Sequence, residues 1–416
     1  MHIPLCSDVR EEIPMTPNAW IRPNPPRPRT RRTTARLGLA GLAALAAAST
    51  LTACSSDADT AAGDALVAAA GAQRLDDVCG KSVVVQLQWQ PQSDMGALFQ
   101  MLGPDYAVDP ETKSVSGTLV ADGKDTGVEL TLRAGGPAIG FQSVTSQMYV
   151  DDSVDLGLVH SDQLIAAAGE QPVVGVTPLL THSPAILMWN PATFGKDFSL
   201  TELADSDATV VVSPEQAFPA WLVAKGYADK AQIDTSYDGN PARFVAEPTI
   251  VQQGFANSEP YTYENDTQAW NKPVGYQLLK DVGYDPYASN LSVRADQLEE
   301  KAPCLERLVP LVQQASADYI TDPKATNKVI TDVVAADSTY FPYSIGEAEY
   351  SAELLAEEGL VENENGVLGG YDTERTTSFV EDVAPIIRAQ GNVVPEDVKA
   401  DALFTARFVD DSIKLP

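Results

Sequence analysis

Val154–Leu180 reads VDLGLVHSDQLIAAAGEQPVVGVTPLL. Asp155–Val159 is a short apolar run, Asp162–Ala168 has helical spacing behind a Ser-Asp start, and Pro172–Pro178 is rich in valine. That order is strand, helix, strand, and runs buried on both faces are the mark of a parallel sheet. Working outward, Lys81–Gln90 (KSVVVQLQWQ) is a β-branched run stopped by Pro91, and Val128–Arg133 (VELTLR) is another strand ending at Gly135-Gly136-Pro137. Met95–Leu102 and Phe141–Met148 read as short helices, and Asp105–Gly127, with its Gly, Pro and Asp, reads as an inserted loop. A second series follows: strands at Ala185–Trp189, Ala208–Ser213 and Arg243–Ala246, helices at Leu200–Leu203 and Ala217–Lys225, and then the short segment Ile250–Ala256. Beyond Trp270 the chain turns helical, at Glu299–Tyr319, Lys324–Ala336, Ser351–Glu358, Thr376–Gln390 and Pro395–Leu403. The pattern is α/β with largely parallel strands and a mainly helical C-terminal third.

The N-terminus carries a different signal. Arg27, Arg29, Arg31, Arg32 and Arg36 precede the charge-free run Leu37–Ala48 and then Leu51-Thr52-Ala53-Cys54. A basic stretch, a short apolar core and a small-residue cleavage site make an export signal. Its apolar core of about a dozen residues is too short for the roughly 20 that span a bilayer. Leu-x-Ala-Cys resembles the bacterial lipobox, which implies that Cys54 is lipidated and begins the mature chain. Residues 1–53 are then a signal peptide with an N-terminal extension, begun at Met1 or Met15, and Arg31-Arg32 leaves open a twin-arginine route. Residues 54–77 are Ser, Asp and Ala-rich and read as a lipid-anchored flexible tether.

The 416 residues carry a formal net charge of −30 at pH 7 and include four cysteines. Such acidity with no basic patch argues against nucleic acid as a partner. Cys6 falls in the removed segment and Cys54 is committed to lipid, which leaves Cys79 and Cys304 as either a disulfide or two buried thiols. His160 and His182 have no metal-ligand spacing around them, and no nucleophile elbow or phosphate-binding glycine motif occurs, so neither a metal, a cofactor nor an enzyme is expected.

What stands out is a set of polar loops just after apolar runs, where open α/β sheets place ligands. They hold Trp89 and Asp94; Ser161 and Asp162; Ser213 and Glu215; Asn257, Glu259 and Tyr261; and the loop at Thr181-His182-Ser183. Each serine and aspartate is equally readable as a helix cap, and Trp89 as core.

Taken together, VVVQLQWQPQSDMGALF (Val83–Phe99), VELTLRAGGP (Val128–Pro137), Val154–Leu180, QQGFANSEPYTYE (Gln252–Glu264) and LFTARFVDDSI (Leu403–Ile413) resemble the substrate-binding proteins of ABC importers for nitrate, sulfonates, taurine and thiamine-pyrimidine precursors. The resemblance implies a type II periplasmic-binding-protein fold: two lobes, two hinge crossovers and a ligand in the cleft. Lobe one would be 78–180 and 271–416, lobe two 181–270, with hinges near Thr177–Thr181 and Glu264–Asn271. It also implies a monomer on the outer face of the cell membrane, partnered by an ABC permease and a small-molecule ligand. By position, Trp89 would stack on the ligand, Asp94, Ser161 and Asp162 would line lobe one, and Ser213, Glu215, Asn257 and Glu259 would line lobe two.

None of these loops contains Lys or Arg, which anion recognition needs. The residues therefore favour a neutral or cationic aromatic heterocycle, such as a thiamine-pyrimidine precursor, over a sulfonate, nitrate or taurine. Two other readings stay open: a pyrimidine-synthesis-like enzyme, and a surface interaction lipoprotein without a small ligand.

Overall fold

A computed structural model describes residues 66–416 except Glu215; the expected signal peptide, the expected lipidation site Cys54 and the first part of the expected tether lie outside the described residues, as does the Glu215 position. The described residues belong to one compact unit, Gly63–Pro416.

Along the chain come β1 (Ser82–Gln86), α1 (Gly96–Gln100), β2 (Ala107–Asp109), β3 (Ser114–Ala121), β4 (Lys124–Arg133), α2 (Val144–Val150), β5 (Leu156–Val159), α3 (Ser161–Ala167) and β6 (Val173–Leu180). The chain then crosses to a second sheet through β7 (Ala185–Trp189), α4 (Pro191–Phe194), β8 (Thr209–Val211), α5 (Phe218–Lys225), β9 (Ile233–Asp234), α6 (Ala242–Ala246), β10 (Ile250–Phe255), α7 (Glu259–Tyr261) and β11 (Gly275–Leu278). It returns with β12 (Ala288–Arg294) and finishes with α8 (Leu298–Thr321), α9 (Lys324–Ala335), α10 (Ile345–Glu357) and α11 (Thr373–Ala389).

The first sheet has the order β2-β3-β4-β1-β5-β12-β6 and the second β11-β7-β10-β8-β9. Their cores, β4-β1-β5-β12-β6 and β9-β8-β10-β7-β11, are the same arrangement. In each, a strand that has just crossed from the other lobe, β12 or β7, is inserted antiparallel next to the third parallel strand. Two like lobes joined by two crossovers make the α/β type II periplasmic-binding-protein fold. β5 in the middle of the first sheet and β6 at its end are both sealed on both faces, as their unbroken burial shows. Leu87, Phe99, Leu158, Leu291 and Val309 share the core beneath the first sheet.

Several elements depart from the sequence expectation. The stretch Asp105–Gly127 is no loop: β3 and β4 form a long antiparallel hairpin whose two-residue turn, Asp122-Gly123, has φ of 51° and 70°. Asp-Gly accepts left-handed φ at both positions, and β3 alternates buried and half-buried side chains as a strand with one solvated face should. Arg243–Ala246 is helical rather than a strand, and Pro395–Leu403 holds only a single short turn at Ala400–Ala402. The tether stops before Leu66: Ala69 N donates to Asp125 O (2.7 Å), and Leu75 is 0% exposed in the lobe-one core. β11 pairs with β7, so the chain returns to lobe one at Gly283–Tyr287, later than the Glu264–Asn271 expected.

Cys79 and Cys304 are bonded, with Cα atoms 4.7 Å apart, fastening the start of the folded chain to α8. Among the described residues no helix is long and apolar enough to cross a membrane.

Candidate functional site

The C-terminal ends of β1, β4, β5, β8 and β10 open onto one cavity of about 1220 Å³ between the lobes. Its lobe-one wall is aromatic. Trp89 lies beside Phe341, ring planes 4° apart with centroids 6.4 Å apart, and beside Phe141 at 5.9 Å. Phe141 and Phe341 are 46% and 40% exposed, costly for phenylalanine unless something covers them. The sequence Gly135-Gly136 makes room for this wall. A Cβ on Gly135 would lie 2.1 Å from the Leu87 carbonyl oxygen, and Gly136 (φ +57°) carries a hydrogen where a Cβ would meet the Trp89 ring at 2.3 Å. Phe341 is held from 251 residues away: Gln90 Nε2 donates to Phe341 O (3.0 Å) and Gln90 Oε1 accepts from Phe341 N (2.8 Å).

Deeper in, the lining is acidic. Asp94 Oδ2 accepts from Gln88 Nε2 (3.0 Å), which also donates to Ser289 Oγ (2.7 Å). Ser289 N donates to His160 Nδ1 (3.1 Å), so this ring keeps its proton on Nε2, and burial pushes its pKa down. On the opposite wall, Glu259 accepts from Phe255 N (2.7 Å) and Tyr237 OH (3.2 Å). Between the lobes, Glu347 of α10 accepts from Ser258 Oγ at 2.6 Å and is 3% exposed. Burial raises Asp94 to about 6 and both glutamates to about 7; for Glu347 the nearby charges of Glu259 and Asp266 add to it. Asp238, Asp266 and Asp337 also line the cavity, whereas none of the described lining residues is Lys or Arg. Lys113 stands behind the wall, paired with Asp337 (2.6 Å) and 5.9 Å from the centre of the Tyr340 ring, and Arg243 donates to Ser236 Oγ from outside the lining.

These raised carboxylates fix a pH dependence. Each holds its proton more tightly when folded, so the stability it gives is complete below about pH 4 and is lost as pH rises through 6 to 7. Carboxylates with lowered values, such as Asp151 at about 2, are already ionised in that window. The ligand-free protein should therefore melt a few degrees higher at pH 5.5 than at pH 7.5, and Glu259→Gln with Glu347→Gln should flatten the difference. Equal melting temperatures at the two pH values in the unsubstituted protein would contradict the assignment.

Of the residues singled out in the sequence, Trp89, Asp94, Ser213, Asn257 and Glu259 line the cavity. Ser213 reaches it through its backbone, whose N–H donates to Gln253 Oε1 (2.9 Å). Ser161, Asp162 and Tyr261 do not line it. Ser161 Oγ donates to Tyr287 O (2.8 Å), and Asp162 Oδ2 accepts from Tyr284 OH (2.9 Å), so this pair ties α3 to the second crossover. The Tyr261 hydroxyl is pressed against Gly346 of α10, where a Cβ would lie 2.0 Å from it. Sequence reasoning missed Gln90, Phe141, Tyr237, Phe341 and Glu347. Ser344-Ile345-Gly346-Glu347 has the spacing of a capping box, and Ser344 Oγ does accept from Glu347 N (3.1 Å), which hides the carboxylate's reach to the other lobe.

No family model and no curated protein sequence matches the chain. Solved structures do resemble it. The periplasmic aliphatic sulphonate binding protein SsuA from Escherichia coli is 12% identical, covering 77% of this chain and 91% of that one, with a TM-score of 0.48. The periplasmic nitrate-binding protein NrtA from Synechocystis PCC 6803 is 11% identical over 79% and 87%, also with a TM-score of 0.48. A Candida albicans protein described as having the generic periplasmic binding protein fold is 10% identical over 79% and 97%, with a TM-score of 0.43. At these values the likeness adds nothing to the fold, which rests on the matching strand order of the two sheets.

Proposed function

We propose that this chain is an extracytoplasmic solute-binding lipoprotein. It is held to the cell membrane through Cys54, captures a neutral or cationic aromatic compound between its lobes, and delivers it to an ABC permease. The supporting observation is the cavity: an exposed aromatic wall of Trp89, Phe141 and Phe341 facing a floor rich in carboxylates, with no Lys or Arg among its described lining residues. A planar ring stacks on such a wall, and a cation is welcome in such a field. A sulfonate or nitrate would meet repulsion instead, because no guanidinium or ammonium offsets Asp94, Glu259 and Glu347. A thiamine-pyrimidine precursor has the required chemistry and occupies only part of 1220 Å³, so larger aromatic solutes belong in the same test.

The test is a thermal-shift panel of aminopyrimidines, aromatic amines, sulfonates and nitrate, followed by titration of whichever compound raises the melting temperature most. Trp89→Ala should weaken that compound about tenfold or more. Stabilisation by sulfonates or nitrate alone would overturn the reading.

A further inference from the structure

Among the lining residues Phe141 and Phe341 are exposed, whereas Glu347 and Asn257 are buried, at 3% and 5% exposed. The N-terminal half of α10 joins the buried groups: Ser93 Oγ, beside Asp94, donates to Ala348 O (3.2 Å), Ser258 Oγ donates to Glu347 (2.6 Å), and Asn257 Nδ2 donates to Ser351 Oγ (3.0 Å). Residues 347, 348 and 351 span about one helical turn, so Ser93, the neighbour of Asp94 in lobe one, and Asn257 of lobe two are bonded to the same short stretch of helix. The helix start does not serve an anion there, because Glu347 already places a carboxyl in its first turn.

Three oxygens in this lining lack any hydrogen-bond partner: Asp94 Oδ1, its neighbour Gln88 Oε1, and Asn257 Oδ1. All three are acceptors, and a buried acceptor left unpaired costs roughly 1–3 kcal/mol. The terminal torsions of Asp, Asn and Gln are broad, so a donor arriving in the cavity can draw these oxygens to itself without leaving a rotamer well. The Gln88 amide donates to Asp94 and Ser289, Ser258 Oγ to Glu347 and Asn257 Nδ2 to Ser351, so these groups beside the three oxygens already have acceptors.

We propose that the bound solute enters head first, with an amine or amidine group donating several N–H bonds to Asp94 and Asn257 at the α10 floor and its ring left between Phe141, Trp89 and Phe341. This rests on the solute-binding reading and adds an orientation and a head-group class to it. The fixed orientation separates two sets of residues, floor for the head and wall for the ring.

Matched probes test it: benzamidine and tryptamine carry the donor head, while benzoate and indoleacetate carry the same rings on a carboxylate. Dissociation constants come from ligand-observed NMR at pH 7.5. Benzamidine or tryptamine should bind at least about tenfold more tightly than its acid. Asp94→Leu and Asn257→Leu should each erase most of that preference, and Asp94→Leu should leave the ligand-free melting temperature unchanged or higher, since it removes a buried carboxylate with one unpartnered oxygen and gives up only the Gln88 bond. Acids that bind as well as the amines overturn the head-in proposal and leave the solute-binding reading standing. If Asp94→Leu lowers the melting temperature and leaves the preference intact, Asp94 is structural and the proposal fails. Absence of binding by all four probes overturns both.

Discussion

Arg375→Met should lower the melting temperature by roughly 3–5 °C and loosen both crossovers at once. Arg375 sits in the first turn of α11, and its guanidinium donates to the carbonyl oxygens of Thr181 (2.7 Å) in the first crossover and Asp285 (3.2 Å) in the second. It pairs with the Asp285 carboxylate at 3.0 Å and the Glu364 carboxylate at 3.1 Å, and lies 4.1 Å from the centre of the Tyr287 ring. The same Tyr287 hydroxyl donates to Glu364 and accepts from Asp372 N (2.7 Å). His182, from the first crossover, stands 2.8 Å from Asp285 of the second. One cation therefore links both chain segments that any lobe motion must bend. Removing it strands two carboxylates that are three-quarters buried or more, which costs about 2–4 kcal/mol once partial exposure is allowed for. Arg375→Lys keeps the charge but cannot bridge two carbonyls and a carboxylate together, so it should recover only part of the loss. Hydrogen exchange should quicken at 181–184 and at 283–287 in both variants. Faster exchange in only one crossover would show that the two are held separately.

How far the sequence could lead is clearest at the sheets. β5 and β6 were legible because a strand sealed on both faces must be apolar at successive positions, and Leu156–Val159 and Val173–Leu180 are. The β3–β4 hairpin had its own signals, the alternation of Ser114–Ala121 and the Asp122-Gly123 turn, yet the Gly and Asp there weigh toward a loop in any reading by composition. Arg243–Ala246 shows the reverse error: four residues with Val and Phe read as a strand, but Pro241 and local hydrogen bonds start a helical turn over Ala242–Ala246, and among the described strands none pairs with it. Short segments take the structure their tertiary neighbours offer.

At the site the same logic divides what was legible from what was not. Trp89, Asp94, Ser213, Asn257 and Glu259 follow directly on parallel strands, so their position on the cleft is a consequence of topology. Ser161 and Asp162 follow β5 equally directly, but the antiparallel insertion of β12 brings Tyr284 and Tyr287 over them and claims their hydrogen bonds. Phe341 and Glu347 come from the helical third, whose return across the cleft leaves no mark in local periodicity. Their partners, Gln90 and Ser258, lie 251 and 89 positions away.

Replacing Cys79 and Cys304 together by Ser should cost about 2–5 kcal/mol and leave dissociation constants for cavity probes unchanged. The bond closes a loop of 225 residues in sequence separation, which includes all of lobe two and the first half of lobe one. A chain-entropy treatment of so long a loop gives about 5 kcal/mol, and measured values usually fall below it. Local packing holds the same segment: Arg307 Nη1 donates to Arg74 O (2.9 Å) and pairs with Asp77 at 2.7 Å, while Leu75 fills the core beneath. These contacts should keep residues 74–79 docked on α8 in the folded double variant. Cys304 stands near the start of α8, and Tyr319, which packs on Gly96 beside the cavity loop, stands fifteen residues further on, about 22 Å along the axis. Thermal melts should therefore fall by roughly 3–7 °C while titrations of the same probes superimpose. A loss of affinity as large as the loss of stability would mean that the bond sets the position of α8 at the cavity, and not only the entropy of the unfolded chain.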